Sequence, residues 1–180
     1  MEILKIILYI IIVVGIILIG YALIYNKIKT QILKINSVES EIDESLREKY
    51  DLLVKIISEV KKIEKDIDKF NDFEKIKDEN LSSFEFERKL ADIESEIYTI
   101  RNDNNKLMKN NTFNDLWYDI TNLNTKIKAE EKYYNENTTI YNELVTKFPS
   151  KLIAVILRLN EKRYFDGKNM YDKNIKDFKI

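Results

Sequence analysis

Glycine and proline are almost absent from most of this chain. Residues 21–166 contain no glycine, and their one proline is Pro149. A sheet protein needs many tight turns, and such turns depend on glycine, proline and similar residues. Glycine is also needed in the phosphate-binding loops of Rossmann and P-loop proteins. The sequence therefore excludes all-β folds and these nucleotide-binding loops, and it predicts an all-α protein.

Histidine and cysteine do not occur in the 180 residues. Their absence excludes Ser-His and Cys-His nucleophile pairs, the usual structural zinc sites and the Glu-x-x-His motif of helical di-iron proteins. Disulfides are excluded as well. We predict no enzyme activity, no catalytic or metal-binding residues and no cofactor; carboxylate or lysine catalysis and a carboxylate metal site are the formal alternatives.

An uncharged run of 21 residues, 6–26, lies close to the N-terminus. As an α-helix it would extend ~32 Å, about the thickness of the hydrocarbon core of a bilayer. Tyr21 and Tyr25 lie where an interfacial aromatic belt is expected. The alternative is a cleaved signal peptide, whose apolar region is typically ~7–15 residues long and ends in a small-x-small site. We predict a retained transmembrane anchor over residues 1–26, with residues 6–26 in the bilayer.

Lysines flank this run unequally. Lys5 precedes it, whereas Lys27, Lys29 and Lys34 follow it before any acidic residue. The positive-inside rule then places the N-terminus outside and the remaining chain in the cytoplasm. The three membrane-proximal lysines would contact anionic headgroups or act only as a topology signal, and the two roles are compatible. We predict a single-pass protein of a bacterial cytoplasmic membrane.

Beyond the anchor, apolar residues recur at alternating steps of four and three, the spacing of amphipathic helices. Three such seams run over residues 28–70, 86–107 and 113–148, and a short fourth apolar segment follows Ser150. Because the intervening connections look short, we predict a four-helix antiparallel up-and-down bundle over residues 27–165. The alternative is a parallel coiled-coil stalk that dimerises through the first seam. The near balance of 30 basic and 31 acidic residues argues against nucleic-acid binding.

Polar residues mark the predicted helix ends. The proposed N-terminal caps are Ser82 with Glu85, Thr112 with Asp115, and Ser150. Pro149 should end the third helix, because the residue before a proline is disfavoured in the α region. The last segment, residues 166–180, is polar and aperiodic, and we predict a flexible tail.

The order of motifs along the chain resembles the LemA family of membrane-anchored bacterial proteins. The resemblance begins at Tyr25-Asn26 and continues through Ile42-Asp43, Leu46 and Tyr50-Asp51-Leu52, similar to the signature D-I-D-x-x-L-x-x-x-Y-D-L. Later matches are Tyr133-Tyr134-Asn135, Tyr141-Asn142, Phe148-Pro149 and Tyr164-Phe165. Glu39 replaces a usual tryptophan, which indicates a diverged member. The resemblance implies an N-terminal membrane helix before a cytoplasmic four-helix bundle, and it implies no established catalytic residue or cofactor.

Polar residues interrupt the apolar seams at four positions, Glu39, Lys49, Glu130 and Asn137. They either reach solvent at the bundle edge or form a buried polar cluster that sets helix register, since a buried charge needs a partner. In the second case Glu130→Ala should change the free energy of unfolding by more than ~1 kcal/mol. Tyr134 and Tyr141 lie on the third seam, which favours the core over a recognition strip of tyrosines and asparagines.

Two functions are compatible with these observations. The first is an interaction or scaffold module that binds membrane or envelope proteins through a bundle groove or an exposed helix face. The second is a ligand- or signal-sensing domain that responds by shifting helices. The second requires a polar pocket inside the bundle, for which Glu39, Glu130 and Asn137 are the candidates.

Overall fold

The structure, a computed structural model, describes residues 1–64, 68–79 and 81–165. All regular elements in those residues are helical, which confirms the all-α class. The α-helices are α1 Glu2–Ile63, α2 Ser83–Asp103, α3 Asn105–Met108, α4 Asn111–Thr146 and α5 Ser150–Ile156. Two 3₁₀ segments, Asp68–Phe70 and Phe73–Asp78, lie between α1 and α2. The predicted tail, residues 166–180, lies outside the described residues, as does Ile67 of the first seam.

Contacts between residues divide the chain into two compact units. Unit 1 comprises Met1–Ser37 and Asn135–Arg163, and unit 2 comprises Val38–Tyr134 with the segment that begins at Tyr164. The long helices α1 and α4 therefore each contribute to both units. Unit 1 also contains α5, and unit 2 also contains α2, α3 and the two 3₁₀ segments.

The N-terminal part of α1 exposes an apolar surface. One 18-residue window of α1 has a mean hydropathy of 3.0, and none of that window is buried. Side chains in its middle, such as Ile16 and Leu18, are 65% and 61% exposed. Among the described residues, α1 is the one helix that is long and apolar enough to cross a membrane.

The core of unit 1 is built where α1, α4 and α5 contribute apolar side chains. Its buried members include Ile28, Ile35, Val145, Ile153 and Ala154. Helix α4 ends at Thr146, three residues before Pro149, as predicted. The prediction that Ser150 caps α5 is wrong, because its hydroxyl donates to the Lys147 carbonyl at 3.0 Å instead of accepting from a helix N–H.

The start of α2 in unit 2 confirms the predicted capping box. The Glu85 amide donates to Ser82 Oγ at 3.3 Å, and the Ser82 amide donates to a Glu85 carboxylate oxygen at 3.0 Å. These two bonds satisfy helix N–H groups that would otherwise lack partners. The hydrogen bonds from the Ser82 backbone and hydroxyl lower the pKa of Glu85.

The start of α4 differs from the prediction. The residue that caps it is Asn110, whose Oδ1 accepts from the Phe113 amide at 3.0 Å, and not Thr112. The second seam is also interrupted at Asn104, which separates α2 from α3 and accepts from the Lys106 amide at 2.9 Å. Asparagine favours such breaks because its side chain bonds the nearby backbone.

Helices α1 and α2 run in the same direction within unit 2. Three side-chain pairs link the two helices in the order in which their residues occur along each of them: Asp43–Ser83, Lys49–Glu94 and Glu64–Asn104. The predicted antiparallel order is therefore wrong for this pair. The connection after α1 is long enough to return along the helix, and Phe73 within it stacks on Tyr50 with ring centroids 5.0 Å apart.

Helices α2 and α4 run in opposite directions. Glu94 contacts Asn124, whereas Tyr98, further along α2, stacks on Trp117, which precedes Asn124 on α4. The core of unit 2 is formed by apolar residues of α1, α2, α3 and α4, all of them fully buried: Leu46, Leu53, Ile56, Leu90, Ile97, Leu107, Phe113 and Ile120.

Candidate functional site

Glu39 does not interrupt the apolar face of α1. The neighbouring Val38 is buried to 1% exposure, whereas Glu39 is exposed. Steps of three and four fit the same helix face equally well, because a turn contains 3.6 residues. The chain uses the register that buries Gln31 and Val38 in place of Ile32 and Glu39. Glu39 is therefore a surface residue, and it contributes nothing to a polar pocket.

Asn137 lies in a buried pair of amides in unit 1. The Gln31 Nε2 atom donates to Asn137 Oδ1 at 2.6 Å and to the Asn137 carbonyl at 2.9 Å. Gln31 and Asn137 are 6% and 4% exposed. This pair joins α1 to α4 by neutral groups, which buries polar atoms without burying a charge.

Tyr141 and the following Asn142 hold the segment that follows α5. The Tyr141 hydroxyl donates to the Asn160 carbonyl at 3.0 Å, and burial raises the pKa of Tyr141. Asn142 Nδ2 donates to the Lys162 carbonyl, and its Oδ1 accepts from the Lys162 amide, both at 2.8 Å. Tyr141 and Asn142, which form one of the predicted Tyr-Asn motifs, therefore make structural hydrogen bonds inside unit 1.

Tyr134 belongs to unit 2 and is likewise buried, at 7% exposure. Its ring meets that of Phe165 edge to face, with the centroids 6.3 Å apart. Phe165 contacts Phe84 of α2 in the same geometry at 5.9 Å. Of the two interpretations considered for Tyr134 and Tyr141, these positions fit the core rather than an exposed recognition strip.

Lys49 is a buried cation of unit 2. Its Nζ atom lies 2.8 Å from Glu94 Oε2, with 5% of the lysine side chain and 21% of the glutamate side chain exposed. The other carboxylate oxygen of Glu94 accepts from Asn124 Nδ2 at 2.6 Å. A buried charge is tolerated only where such partners compensate its lost hydration.

Glu130 lies beside this pair and is mostly buried. Its Oε1 accepts from Ser45 Oγ at 3.1 Å and lies 3.7 Å from Lys126 Nζ. Its Oε2 is buried and has no hydrogen-bond partner among the residues that the structure describes. The predicted effect of Glu130→Ala stays a prediction, and the structure supplies its reason, since Ser45 would lose its acceptor.

Two further carboxyl groups carry raised pKa values in the same part of unit 2. Burial and, after it, the neighbouring charge of Glu87 raise the pKa of Glu131 to about 7, against the opposing charges of Lys49 and Lys128. Burial likewise raises the pKa of Glu87. We call the set Lys49, Glu87, Glu94, Glu130 and Glu131 the charged layer. It can take up or release a proton near neutral pH.

Sequence reasoning identified two members of the charged layer, Lys49 and Glu130, and missed Glu87, Glu94 and Glu131. The missed glutamates lie one position beside an apolar seam, where a charged side chain is ordinarily exposed. The cluster of acidic side chains around Lys49 forms only where α2 packs beside α4, so periodicity within either helix does not predict it. Within the described residues, acidic side chains do not form a metal-binding group of three or more.

A groove of about 430 Å³ opens beside Tyr50 in unit 2. Its lining combines charged and aromatic side chains: Asp43, Arg47, Tyr50, Asp51, Lys77 and Phe86. The ring of Tyr50 is contacted by Phe86, with centroids 6.1 Å apart, and by the Lys77 ammonium at 5.5 Å from its centroid. Lys77 therefore makes a cation–π contact with Tyr50 within the groove.

The membrane-proximal lysines Lys27, Lys29 and Lys34 are exposed, as a role at the headgroups requires. The Lys29 ammonium lies 5.8 Å from the ring centroid of Tyr25.

The fold and these sites define an all-helical protein with one apolar N-terminal helix that continues into a helical domain. A LemA family model matches residues 38–177, which is most of the chain. The chain belongs to the LemA family, which confirms the resemblance seen in its motifs. The match contains Asp43 and Tyr50 and begins after the Tyr25-Asn26 motif. Searches of curated proteins and of solved structures found no match.

Proposed function

We propose that this LemA family protein is a membrane-tethered helical interaction module without catalysis of its own. The observation that carries the proposal is the continuity of α1. One helix passes from exposed apolar side chains near its start to the buried residues of the helical domain, without a break. A helix of this kind would hold the domain beside the bilayer at a defined position. Its partners would be membrane or envelope proteins.

The orientation in this proposal has the N-terminus outside and the helical domain in the cytoplasm of a bacterium. Its support is the excess of lysines after the span, Lys27, Lys29 and Lys34 against Lys5. Their exposure is compatible with contact to anionic headgroups of the inner leaflet.

The groove beside Tyr50 is the proposed docking site for a partner. Asp43, Tyr50 and Asp51, three residues that carry the resemblance to the LemA signature, line it. Such a groove pairs an aromatic surface with both signs of charge, which favours a charged peptide segment over an apolar ligand.

Charge reversal in the groove tests this function. Asp51→Lys changes an exposed lining residue, and Glu48→Lys changes another exposed acid on α1 outside the lining. Both full-length variants are expressed in native membranes and crosslinked in parallel with the unchanged protein. We expect Asp51→Lys to lose a reproducible crosslinked protein partner that Glu48→Lys retains. If the crosslinked set is the same for all three proteins, the groove does not dock a partner.

A second candidate function is sensing through the charged layer of unit 2. The observation that favours it is Glu131, whose pKa of about 7 lies where small changes in pH alter its charge. Proton uptake would change the repulsion between α2 and α4 and thereby shift helices. Hydrogen exchange of α2 and α4, compared at two pH values after correction for intrinsic rates, tests this. Equal protection in the unchanged protein and in Glu131→Gln would argue against it.

A further inference from the structure

The turn from α4 into α5 carries an apolar surface that nothing in unit 1 covers. Phe148 is 80% exposed, and three α5 side chains are exposed to a similar degree: Leu152 60%, Val155 66% and Ile156 69%. We call these four residues the α5 apolar face. The opposite side of α5 is packed, since Ile153 and Ala154 are 6% and 1% exposed. A contiguous apolar face of this kind marks a site that binds another apolar surface.

Contacts inside unit 1 show that α4 runs back toward the apolar span of α1 as it approaches this face. Gln31 of α1 pairs with Asn137 of α4. Further along α4, a hydrogen bond from Lys147 lowers the pKa of Glu143, and the charge of Lys27 lowers it further. Residues further along α4 therefore lie beside α1 residues that are closer to the N-terminus, so the two helices are antiparallel. Phe148 lies five residues beyond Glu143, in the direction of Tyr25 and Tyr21.

Basic residues lie beside the α5 apolar face. Lys151 is exposed within α5, and Arg158 is exposed just after it. Lys147 precedes Phe148 and pairs with Glu143 at 2.7 Å. Exposed apolar side chains flanked by lysine and arginine are typical of helices that lie in the interface of an anionic membrane.

We propose that the α5 apolar face inserts into the interfacial region of the bilayer that α1 crosses. The occupant of this face is lipid, and the reason is that α4 runs back toward the apolar span as it approaches the face, within one compact unit. The protein thus contacts the membrane twice, through α1 and through α5. This contact rests on the proposed anchoring by α1, and it adds a constraint on how unit 1 lies at the surface.

The absence of cysteine permits a clean test with single-cysteine variants of the full-length protein. An environment-sensitive fluorophore is attached at Leu152→Cys or Ile156→Cys, and the protein is reconstituted into vesicles of phosphatidylcholine and phosphatidylglycerol. Ile16→Cys reports the middle of the span. Leu33→Cys is the matched control, since Leu33 is 68% exposed and lies seven residues past Asn26, roughly 10 Å along the helix.

The proposal predicts a different quencher for each position. Lipids that carry a spin label near the headgroup should remove most of the emission at 152 and 156. Lipids labelled deep in the acyl chain should quench at 16. Aqueous iodide should quench at 33 and have little effect at 152 and 156.

Each other outcome has a separate meaning. Lipid quenching at 16 together with iodide quenching at 152 and 156 would overturn the α5 contact and leave the anchor intact. Lack of lipid quenching at 16 would refute the anchor, and the α5 contact with it. Protection of 152 and 156 from both lipid and iodide would show that protein, a second copy or another partner, covers the face and not lipid.

Discussion

The two units of this protein bury polar groups in different ways. Unit 1 joins its helices by neutral amides and hydroxyls, the pair Gln31–Asn137 and the bond from Tyr141 to Asn160. Unit 2 instead surrounds buried Lys49 with the glutamates of the charged layer. Both the neutral pairs of unit 1 and the charged layer of unit 2 occur along apolar seams of the same period. The seams alone therefore predict where helices pack, and the polar interruptions decide how each unit responds to its surroundings.

The difference has a consequence for pH. Amides do not titrate, so the bonds of unit 1 keep their strength over the physiological range. The charged layer holds more acid than base, and burial together with neighbouring acids raises the pKa values of Glu87 and Glu131. A response to pH should therefore appear in unit 2 and be absent from unit 1.

The largest expected effect comes from removing the buried cation. Lys49→Met should lower the free energy of unfolding of unit 2 by about 3 kcal/mol, because Glu94 keeps a largely buried charge without its counter-ion. The single tryptophan, Trp117, lies in unit 2, and its fluorescence during urea unfolding in mild detergent measures the change.

Lys126→Met is the matched control for that variant. Lys126 is 55% exposed and lies 3.7 Å from Glu130. Because Lys126 is itself exposed and its ammonium keeps its hydration, we expect its pairing with Glu130 to contribute at most about 0.5 kcal/mol. Equal losses in the two variants would mean that burial of Lys49 does not determine its contribution.

A smaller loss is expected from breaking the neutral pair of unit 1. Asn137→Leu leaves the buried amide of Gln31 without its side-chain acceptor, which should cost about 1–2 kcal/mol. Hydrogen exchange of the amides at 135–146 reports unit 1 specifically. The double variant Gln31→Leu/Asn137→Leu should recover much of the loss, at every pH tested. A loss that changes between pH 6 and 8 would contradict a neutral pair.

The pH response of unit 2 is the third prediction. The folded pKa of Glu131 is raised to about 7 from its ordinary value of 4.5, so the folded state binds more protons than the unfolded state between those values. The stability that Glu131 contributes to the folded state of unit 2 is therefore fully present below its unfolded pKa. That contribution is lost as the pH rises through about 7.

We expect unit 2 to lose about 1 kcal/mol between pH 5.5 and 8.5, since partial exposure of Glu131 screens the charge. Glu131→Gln should flatten this slope. Without histidine or cysteine in the chain, few other groups titrate in that window. A slope of the opposite sign would exclude Glu131 as the titrating group.

The smallest effect is expected at Glu39, the predicted seam residue that lies on the surface. Glu39→Gln should change the free energy of unfolding of unit 2 by less than about 0.5 kcal/mol. A loss comparable to that of Lys49→Met would place Glu39 in the polar core, contrary to its exposure.

Local rules predicted much of the fold. The recurrence of apolar residues at steps of three and four located the long helices, and the serine–glutamate spacing located the cap at Ser82. These features depend on residues within one or two turns of each other. The spacing could not choose between Val38 and Glu39, because both lie on the same broad face of α1.

Those local rules do not predict contacts between segments that are distant in the sequence. The direction of α2 depends on the return of the connection along α1, which Phe73 fixes by stacking on Tyr50. The charged layer depends on which glutamates of α2 and α4 meet Lys49. Periodicity within one helix carries no information about either, so of the charged layer only Lys49 and Glu130 were predicted.

In the proposed function, α1 holds the helical domain at a membrane with its N-terminus outside. Single-cysteine variants test this arrangement in intact cells with a membrane-impermeant maleimide. Glu2→Cys lies before the span, and Tyr118→Cys replaces an exposed side chain of α4. We expect labelling at position 2 in intact cells and labelling at position 118 only after permeabilisation. Labelling at 118 in intact cells, or release of the protein from membranes by alkaline carbonate, would contradict it.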